Sequence, residues 1–326
     1  MAQPPPISYR LQRRRPYRPD PRGERRYVRI VTILCVLAIV AAGLGTYAVA
    51  TDTFGAGERW QSALDRVDRF IAGPVPVRPG PATVLVTEPP EAEAPSPTPV
   101  PSGSSEPGAT PAPTPRATPA PVRTAVDMDI TDDPESVFNS QVDKDWCSPA
   151  GVQIVLAQLG LLGRSDDEQR GIAGRVREWE SYDDSRNGKW GPAAMALALD
   201  AYGAKGYEIR AFEGRKAALR DAAKAIQATG APVILLTWRG AHAWVMTGFR
   251  ADADPTIFRD AQVSGAYILD PWYPRVSSLW GASDGPGVFQ DESEMVRNFL
   301  PWKRPEGTYP DRDGLFITVV PTIPVG

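Results

Sequence analysis

Two side chains have no rival for nucleophilic chemistry in this sequence. There is one histidine, His242, and there are two cysteines, of which Cys35 lies inside an uncharged apolar run and Cys147 does not. A thiol activated by an imidazole must therefore pair Cys147 with His242. Cys147 sits in Gln141-Val-Asp-Lys-Asp-Trp-Cys-Ser-Pro-Ala-Gly, and His242 in Gly240-Ala-His-Ala-Trp-Val-Met-Thr-Gly. A thiol becomes a good nucleophile when an imidazolium or a helix N-terminus stabilises its thiolate. Cys147 is placed for both, because Pro149 favours a first helical turn just after it. The free N–H groups of that turn favour an anionic sulfur. The Gln141 side-chain amide, six residues upstream, and the Cys147 N–H are suited to donate to the oxyanion that forms after attack. In a strand starting near Ala241, His242, Trp244 and Met246 share one face. Asp270, which ends the segment Tyr267-Ile-Leu-Asp-Pro, then reaches the far ring nitrogen of His242 if the two strands pair. It would fix the tautomer and favour the imidazolium.

These segments resemble the C39-like peptidases of the papain-like cysteine peptidase superfamily. Gln-Val-Asp-Lys-Asp-Trp-Cys-Ser-Pro-Ala is similar to the family's segment bearing the oxyanion glutamine and the nucleophile. Gly-Ala-Pro-Val-Ile-Leu-Leu-Thr-Trp, then Ala-His-Ala-Trp-Val-Met-Thr-Gly-Phe, then Tyr-Ile-Leu-Asp-Pro, resembles the family's two strands with the histidine and the Asp-Pro ending. The likeness runs from about residue 130 to 320. It implies Cys147 as nucleophile, His242 as general base and acid, Asp270 as orienter and Gln141 as oxyanion donor. It also implies a papain-like α+β fold, with the cysteine on a helix and the histidine on a sheet. Ser148 departs from the glycine of many members. No transporter segments follow, so cleavage of Gly-Gly leader peptides is not implied.

Each residue also has a plainer reading. A lone cysteine before an apolar helix is commonly a core residue, and Asp270 before Pro271 is a turn former. Tryptophans are core by default, although Trp146, which abuts the nucleophile, and more weakly Trp244, are candidates for binding substrate. Two further function classes fit the same residues: an inactive papain-like module that binds peptide or cell-wall material, and a cysteine amidase or acyltransferase acting on such material. No cofactor is expected. One histidine and one cysteine outside the apolar run do not make a usual zinc site, and Asp311-Arg-Asp-Gly reads as a turn rather than a calcium loop.

The elements that must position these residues divide the chain. Residues 1–29 carry nine arginines against Asp20 and Glu24, and residues 30–51 carry no charge. The second run is long enough to span a bilayer as a helix, and the basic flank keeps the N-terminus in the cytoplasm. The expected location is therefore a bacterial cell membrane, crossed once, with the C-terminal part outside. Cleavage after Ala50 as a signal peptide is the competing expectation. The arginines lack an accompanying pattern of stacking aromatics, so no nucleic-acid partner is expected; the expected partner is a peptide or protein substrate. Residues 1–29 are expected to be disordered. Residues 52–72 read as a short amphipathic segment. Residues 73–124 read as a disordered Pro-rich linker, since sixteen of the 35 prolines fall between Pro74 and Pro121.

Residues 125–326 hold eight of the nine tryptophans and are expected to form the folded domain. The patterns predict helices over 149–159, 190–202 and 216–229, then strands over 232–238, 241–249, 266–269 and 315–320. Helices followed by strands make an α+β domain.

Overall fold

The computed structural model describes residues 21–50, 63–64, 67, 70–71, 73–87, 120–185, 190–303 and 308–324. The chain divides into two units, Met1–Asp68 and Arg69–Gly326. In the first unit, helix α1 (Pro21–Ala50) contains the uncharged run. It begins well before that run, so residues 21–29, expected to be disordered, are helical. Pro21 suits a first helical position, where its missing N–H costs nothing. The apolar side chains described on α1, among them Ile33, Leu37, Ile39, Val40 and Leu44, are all exposed. Among the described residues no helix is long and apolar enough to cross a membrane; the described side chains of α1 run only from 32 to 47, without 34. In the 52–72 segment, Ala63, Leu64, Val67, Phe70 and Ile71 are helical, and the rest lies outside the described residues.

The second unit is an α+β domain around a mixed sheet. In chain order its elements open with strand β1 (Thr83–Leu85), β2 (Val126–Asp129), helix α2 (Pro134–Val137) and α3 (Cys147–Gln158). Next come α4 (Asp166–Gly174), α5 (Val176–Trp179), α6 (Pro192–Ala201), β3 (Tyr207–Phe212), α7 (Arg215–Thr229) and β4 (Val233–Thr237). The last group is β5 (His242–Ala251), β6 (Val263–Leu269), β7 (Val276–Ser277), β8 (Gly281–Ala282), β9 (Val288–Asp291), α8 (Glu292–Asn298) and β10 (Phe316–Pro321). The sheet runs β1-β3-β10-β4-β5-β6-β9, and β2 pairs with the second half of β5 beyond the end of β4. β1 lies parallel to β3, and the other pairs are antiparallel.

Alternation along the strands fills two apolar layers. Ala243 and Val245 of β5 face α3 and α6, while Trp244 and Met246 face α7 and α8. Helix α3 is apolar on most sides because it is enclosed on most sides: every residue from Ser148 to Leu156 is buried. It approaches β5 closely at Gly151, where a Cβ would lie 3.8 Å from both Ala243 Cβ and Val245 Cγ2. Burying Ile154, Val155 and Leu156 completely contributes roughly 1.5–3 kcal/mol for each side chain. On the other layer the alanine-rich face of α7 packs flat on the sheet, and Gly230 ends that helix at φ 68°, a conformation glycine adopts without strain.

One boundary differs from the sequence expectation. Residues 73–87 were expected within the disordered linker, but they are folded onto the domain: β1 joins the sheet, and Val86 N–H donates to Ala211 O at 2.9 Å. Prolines are tolerated there because β1 is an edge strand, where one row of backbone groups needs no ladder partner. Residues 88–119 of the expected linker lie outside the described residues.

Candidate active site

Cys147 is the first residue of α3. The segment before it is fixed by a buried amide network. Gln169 Nε2 donates to Gln153 Oε1 (2.9 Å) and to Ser140 O (3.1 Å), while Gln169 Oε1 accepts from the Val142 N–H (2.7 Å). Gln153 Nε2 donates to Ser165 O at 2.8 Å. Neither glutamine is exposed at all, so each bond offsets a desolvation that would otherwise be costly. The same segment is stitched to the chain after Asp270: Gln141 N–H donates to Pro271 O (2.8 Å), Arg275 to Val142 O (3.2 Å), and the Ser140 hydroxyl to Tyr273 O.

His242 opens β5 opposite Thr237, and Asp270 follows the last residue of β6. Val245 pairs with Leu269, which puts Asp270 on the face that His242 and Trp244 share. His242 Nε2 and Asp270 Oδ1 are 2.6 Å apart, with both side chains buried. In the neutral ring the proton therefore belongs on Nε2, which leaves Nδ1 for the thiol. Cys147 Sγ lies 3.9 Å from Ala241 O and 4.0 Å from Ser148 Oγ.

The charges follow from this geometry. Burial pushes the Cys147 thiol up, but hydrogen bonding to His242, its positive charge, the Ser148 hydroxyl and the Ala243 N–H outweigh burial and hold it below its ordinary value. Burial disfavours the His242 imidazolium as well; Asp270 and Cys147 override that and raise it to about 9. Asp270, pushed up by burial, is held below the usual carboxylate range by His242 and by the Trp272 N–H, which donates to Oδ1 at 2.9 Å. All three shifts favour the thiolate–imidazolium form.

Gln141 is buried and does not line the cleft at Cys147. Its Nε2 donates to Asp143 O at 2.9 Å, leaving the second amide hydrogen for another acceptor, and its Oε1 has no partner among the described residues. The Cys147 N–H belongs to the first turn of α3, where backbone donors have no intrahelical acceptor.

The aromatic surroundings differ from the sequence expectation. Neither Trp146 nor Trp244 lines the cleft at Cys147. Trp146 is half-buried at the start of α3, and Trp244 points into the α7 layer, where it borders a separate cavity of about 20 Å3 beside Asp270. The cleft, about 440 Å3, is lined instead by Trp190, Trp238, Trp272, Trp302 and Tyr309, with Met195 and Leu236 at its apolar side. Trp238 stacks on the His242 ring at 4.1 Å and 22°, and Trp280 stacks on Trp238 at 5.8 Å and 6°. The Trp238 indole N–H donates to Asn298 Oδ1 at 2.9 Å. Trp238 and Arg239 have φ of 52° and 61°, and Gly240 has 81°. Such φ values in non-glycine residues cost of order 1–3 kcal/mol each and cluster at functional sites. Here they build the turn that delivers both Trp238 and His242 to the cleft. Among the described residues no group of His, Cys, Asp and Glu could hold a metal ion.

No protein-family model matches the chain, and no curated protein matches it. Among solved structures, it is similar to a double glycine motif protease from an AMS/PCAT transporter in complex with the leader peptide. The match covers 57% of this chain and 91% of that chain, at 18% identity and a TM-score of 0.28. A likeness that slight carries no argument.

Proposed function

We propose that the chain is a membrane-anchored, extracytoplasmic cysteine peptidase with a papain-like arrangement, its cysteine on a helix and its histidine on a sheet. The observation that carries this reading is the buried 2.6 Å contact of His242 with Asp270, on a ring that shares the cleft with Cys147, whose thiol is held below its ordinary value. In the reaction, the Cys147 thiolate attacks the carbonyl carbon of a peptide bond. The oxyanion accepts hydrogen bonds from the Cys147 N–H and the Gln141 amide. The imidazolium of His242 gives its Nδ1 proton to the leaving amine as the C–N bond breaks, leaving a thioester. Neutral His242 then takes a proton from water as the water attacks the thioester. The carboxylic acid leaves, and the proton returns the pair to thiolate and imidazolium. Asp270 keeps Nε2 protonated throughout.

Anchoring through residues 30–51 is supported by the absence of charge in that run, by the nine arginines before it, and by apolar side chains exposed around α1. A helix apolar on every side needs a non-aqueous environment.

The deciding experiment is pH-dependent alkylation of Cys147 by iodoacetamide in wild type and His242→Ala, alongside a search for new N-termini in peptide mixtures. Labelling with a midpoint below that of an ordinary thiol, raised by His242→Ala, together with peptide cleavage lost in Cys147→Ala, is expected. An ordinary midpoint unmoved by His242→Ala would leave Cys147 as a structural residue. Activated labelling with no new N-termini would favour the binding module or the acyltransferase.

A further inference from the structure

Residues 73–87 precede the expected start of the domain, and none of them is a reacting group. Their contacts converge on one wall of the cleft. Pro76 O accepts from the Tyr182 N–H at 2.8 Å. The Arg78 N–H donates to Ser181 Oγ at 3.0 Å, and the Ser181 hydroxyl donates to Arg78 O at 3.0 Å. The Arg78 guanidinium donates to Glu178 O and, at 2.7 Å, to Arg177 O. Arg177 reaches back to Gly73 O at 2.8 Å. Thr83 Oγ1 in β1 accepts from Arg312 Nε at 3.4 Å. Arg312 is buried and holds Asp184 through an ion pair of 3.0 Å and a bond to Asp184 O of 3.2 Å.

Residues 181–185 therefore have two sides. One is held by residues 73–87. The other contributes Asp184 and Ser185 to the cleft beside Cys147 and His242. Asp184 also accepts from the N–H groups of Ala193 (3.1 Å) and Ala194 (2.9 Å), the first turn of α6. A Cβ at Gly191 would come within 2.5 Å of the Asp184 carboxyl, so the wall and α6 fit only as a unit.

We propose that residues 73–87 form a strap that positions the cleft wall for substrate, acting through Ser181 and Asp184 and leaving thiol activation alone. The strap is held by a strand ladder and backbone hydrogen bonds, the same contacts by which a separate peptide strand joins a sheet edge. A chain cut between 88 and 119 therefore stays together as two associated pieces. Only the turnover arm of this proposal rests on reading the cleft as a peptidase site.

The test uses the full chain in detergent, with an N-terminal tag and a protease recognition sequence inserted between Ser102 and Gly103. After the cut, the C-terminal piece is expected to co-elute with the tagged piece on size exclusion; its release overturns the strap. In the uncut Arg78→Ala/Val84→Pro chain, amide exchange in peptides covering Tyr182, Ala193 and Ala194 is expected to speed up. KM is expected to rise about tenfold with little change in kcat, because losing two or so hydrogen bonds lowers the positioned population of the wall by that order. Alkylation of Cys147 by iodoacetamide, too small to need the wall, is expected to stay within about twofold of wild type. Arg78→Ala alone is the milder variant should the double variant lose its circular-dichroism signal. Unchanged exchange overturns the proposal, and so does a parallel loss of thiol reactivity and thermal stability, which would mark a mere folding element. If the wild type cleaves nothing, the elution and exchange arms still decide the strap, and the failure belongs to the peptidase reading.

Discussion

Replacing Asp270 by asparagine removes one charge from the site and keeps its shape. Asn Oδ1 can accept from His242 Nε2–H and from the Trp272 N–H, as Asp270 Oδ1 does at 2.6 and 2.9 Å. What is lost is the carboxylate's attraction for the imidazolium. His242 stands at about 9 against an ordinary 6.5, although its burial acts in the opposite direction. That gap is worth about 3 kcal/mol at about 1.36 kcal/mol per pH unit. Asp270 leads the causes that raise the value against burial, so losing its charge is worth of the order of that gap, roughly thirty- to a hundredfold in the population of the ion pair. Without it, the proton at neutral pH returns from the ring to the sulfur.

The assay is the alkylation rate of Cys147 as a function of pH, with peptide turnover at pH 7 beside it. The midpoint of the Asp270→Asn chain should move up toward the ordinary thiol value of 9.0. Turnover should fall by about thirty- to a hundredfold without vanishing, because the ring is still oriented. A midpoint that moves by less than about half a pH unit, with the fold intact, would refute the assignment of Asp270 as the group that holds the imidazolium.

Five other outcomes are expected. Gln141→Ala should lower kcat by roughly 10²–10³ with little change in KM, the usual loss for one oxyanion donor, whereas Cys147→Ala should abolish turnover in steady-state assays. The thermal-stability gap between wild type and Asp270→Asn should be widest between about pH 4 and 6.5. It narrows as pH falls through the lowered Asp270 value, where the carboxylate is protonated, and as pH rises from 6.5 through about 9, where folding must hold a proton that the unfolded His242 has lost. Gly240→Ala should destabilise the domain by about 1–3 kcal/mol in denaturant melts, from strain and overpacking: its φ is 81°, and a Cβ there would meet the Trp302 ring at 2.4 Å. Protease added to intact cells should cut the full chain between 88 and 119 while an N-terminal tag stays protected; cleavage of the tag instead would reverse the proposed orientation.

Where the candidate residues sit in the fold was largely legible because it rests on local patterns. Cys147 before Ser-Pro marks a helix start, and the structure begins α3 at that residue. The alternation Ala-His-Ala-Trp-Val-Met places His242 and Trp244 on one face and Ala243 and Val245 on the other, and the two apolar layers separate Trp244 from Ala243 and Val245 in that way. The capping box Ser165-Asp-Asp-Glu168, which opens α4, is likewise a pattern carried by the sequence. The strap was not legible, because a Pro-rich composition argues against a packed core and says nothing about a short edge strand that packs on a core built elsewhere. Gln153 and Gln169 were missed for the opposite reason. Polar residues inside helices read as solvent-facing, and their burial becomes sensible only once the segment around Gln141 supplies the carbonyl and N–H partners.

The aromatic shield was beyond any periodicity. Trp238 and His242 lie four residues apart around the end of a strand pair, and regular strand geometry would not stack their rings. Successive positive φ values at Trp238, Arg239 and Gly240 turn the chain so that they do. Trp280, which extends the stack, comes from the separate β7–β8 hairpin. The consequence is electrostatic. The cleft is open to water, yet the His242–Asp270 contact keeps its strength only where water is excluded. Cys147 approaches from the helix on one layer of the sheet, while His242 and Asp270 belong to the other face, so they can meet only at the strand ends, where a sheet is most open. Covering the imidazole with Trp238, itself stacked on Trp280, lets that open end hold a buried ion pair, which is why the strained turn before β5 and Cys147 at the start of α3 belong to one design.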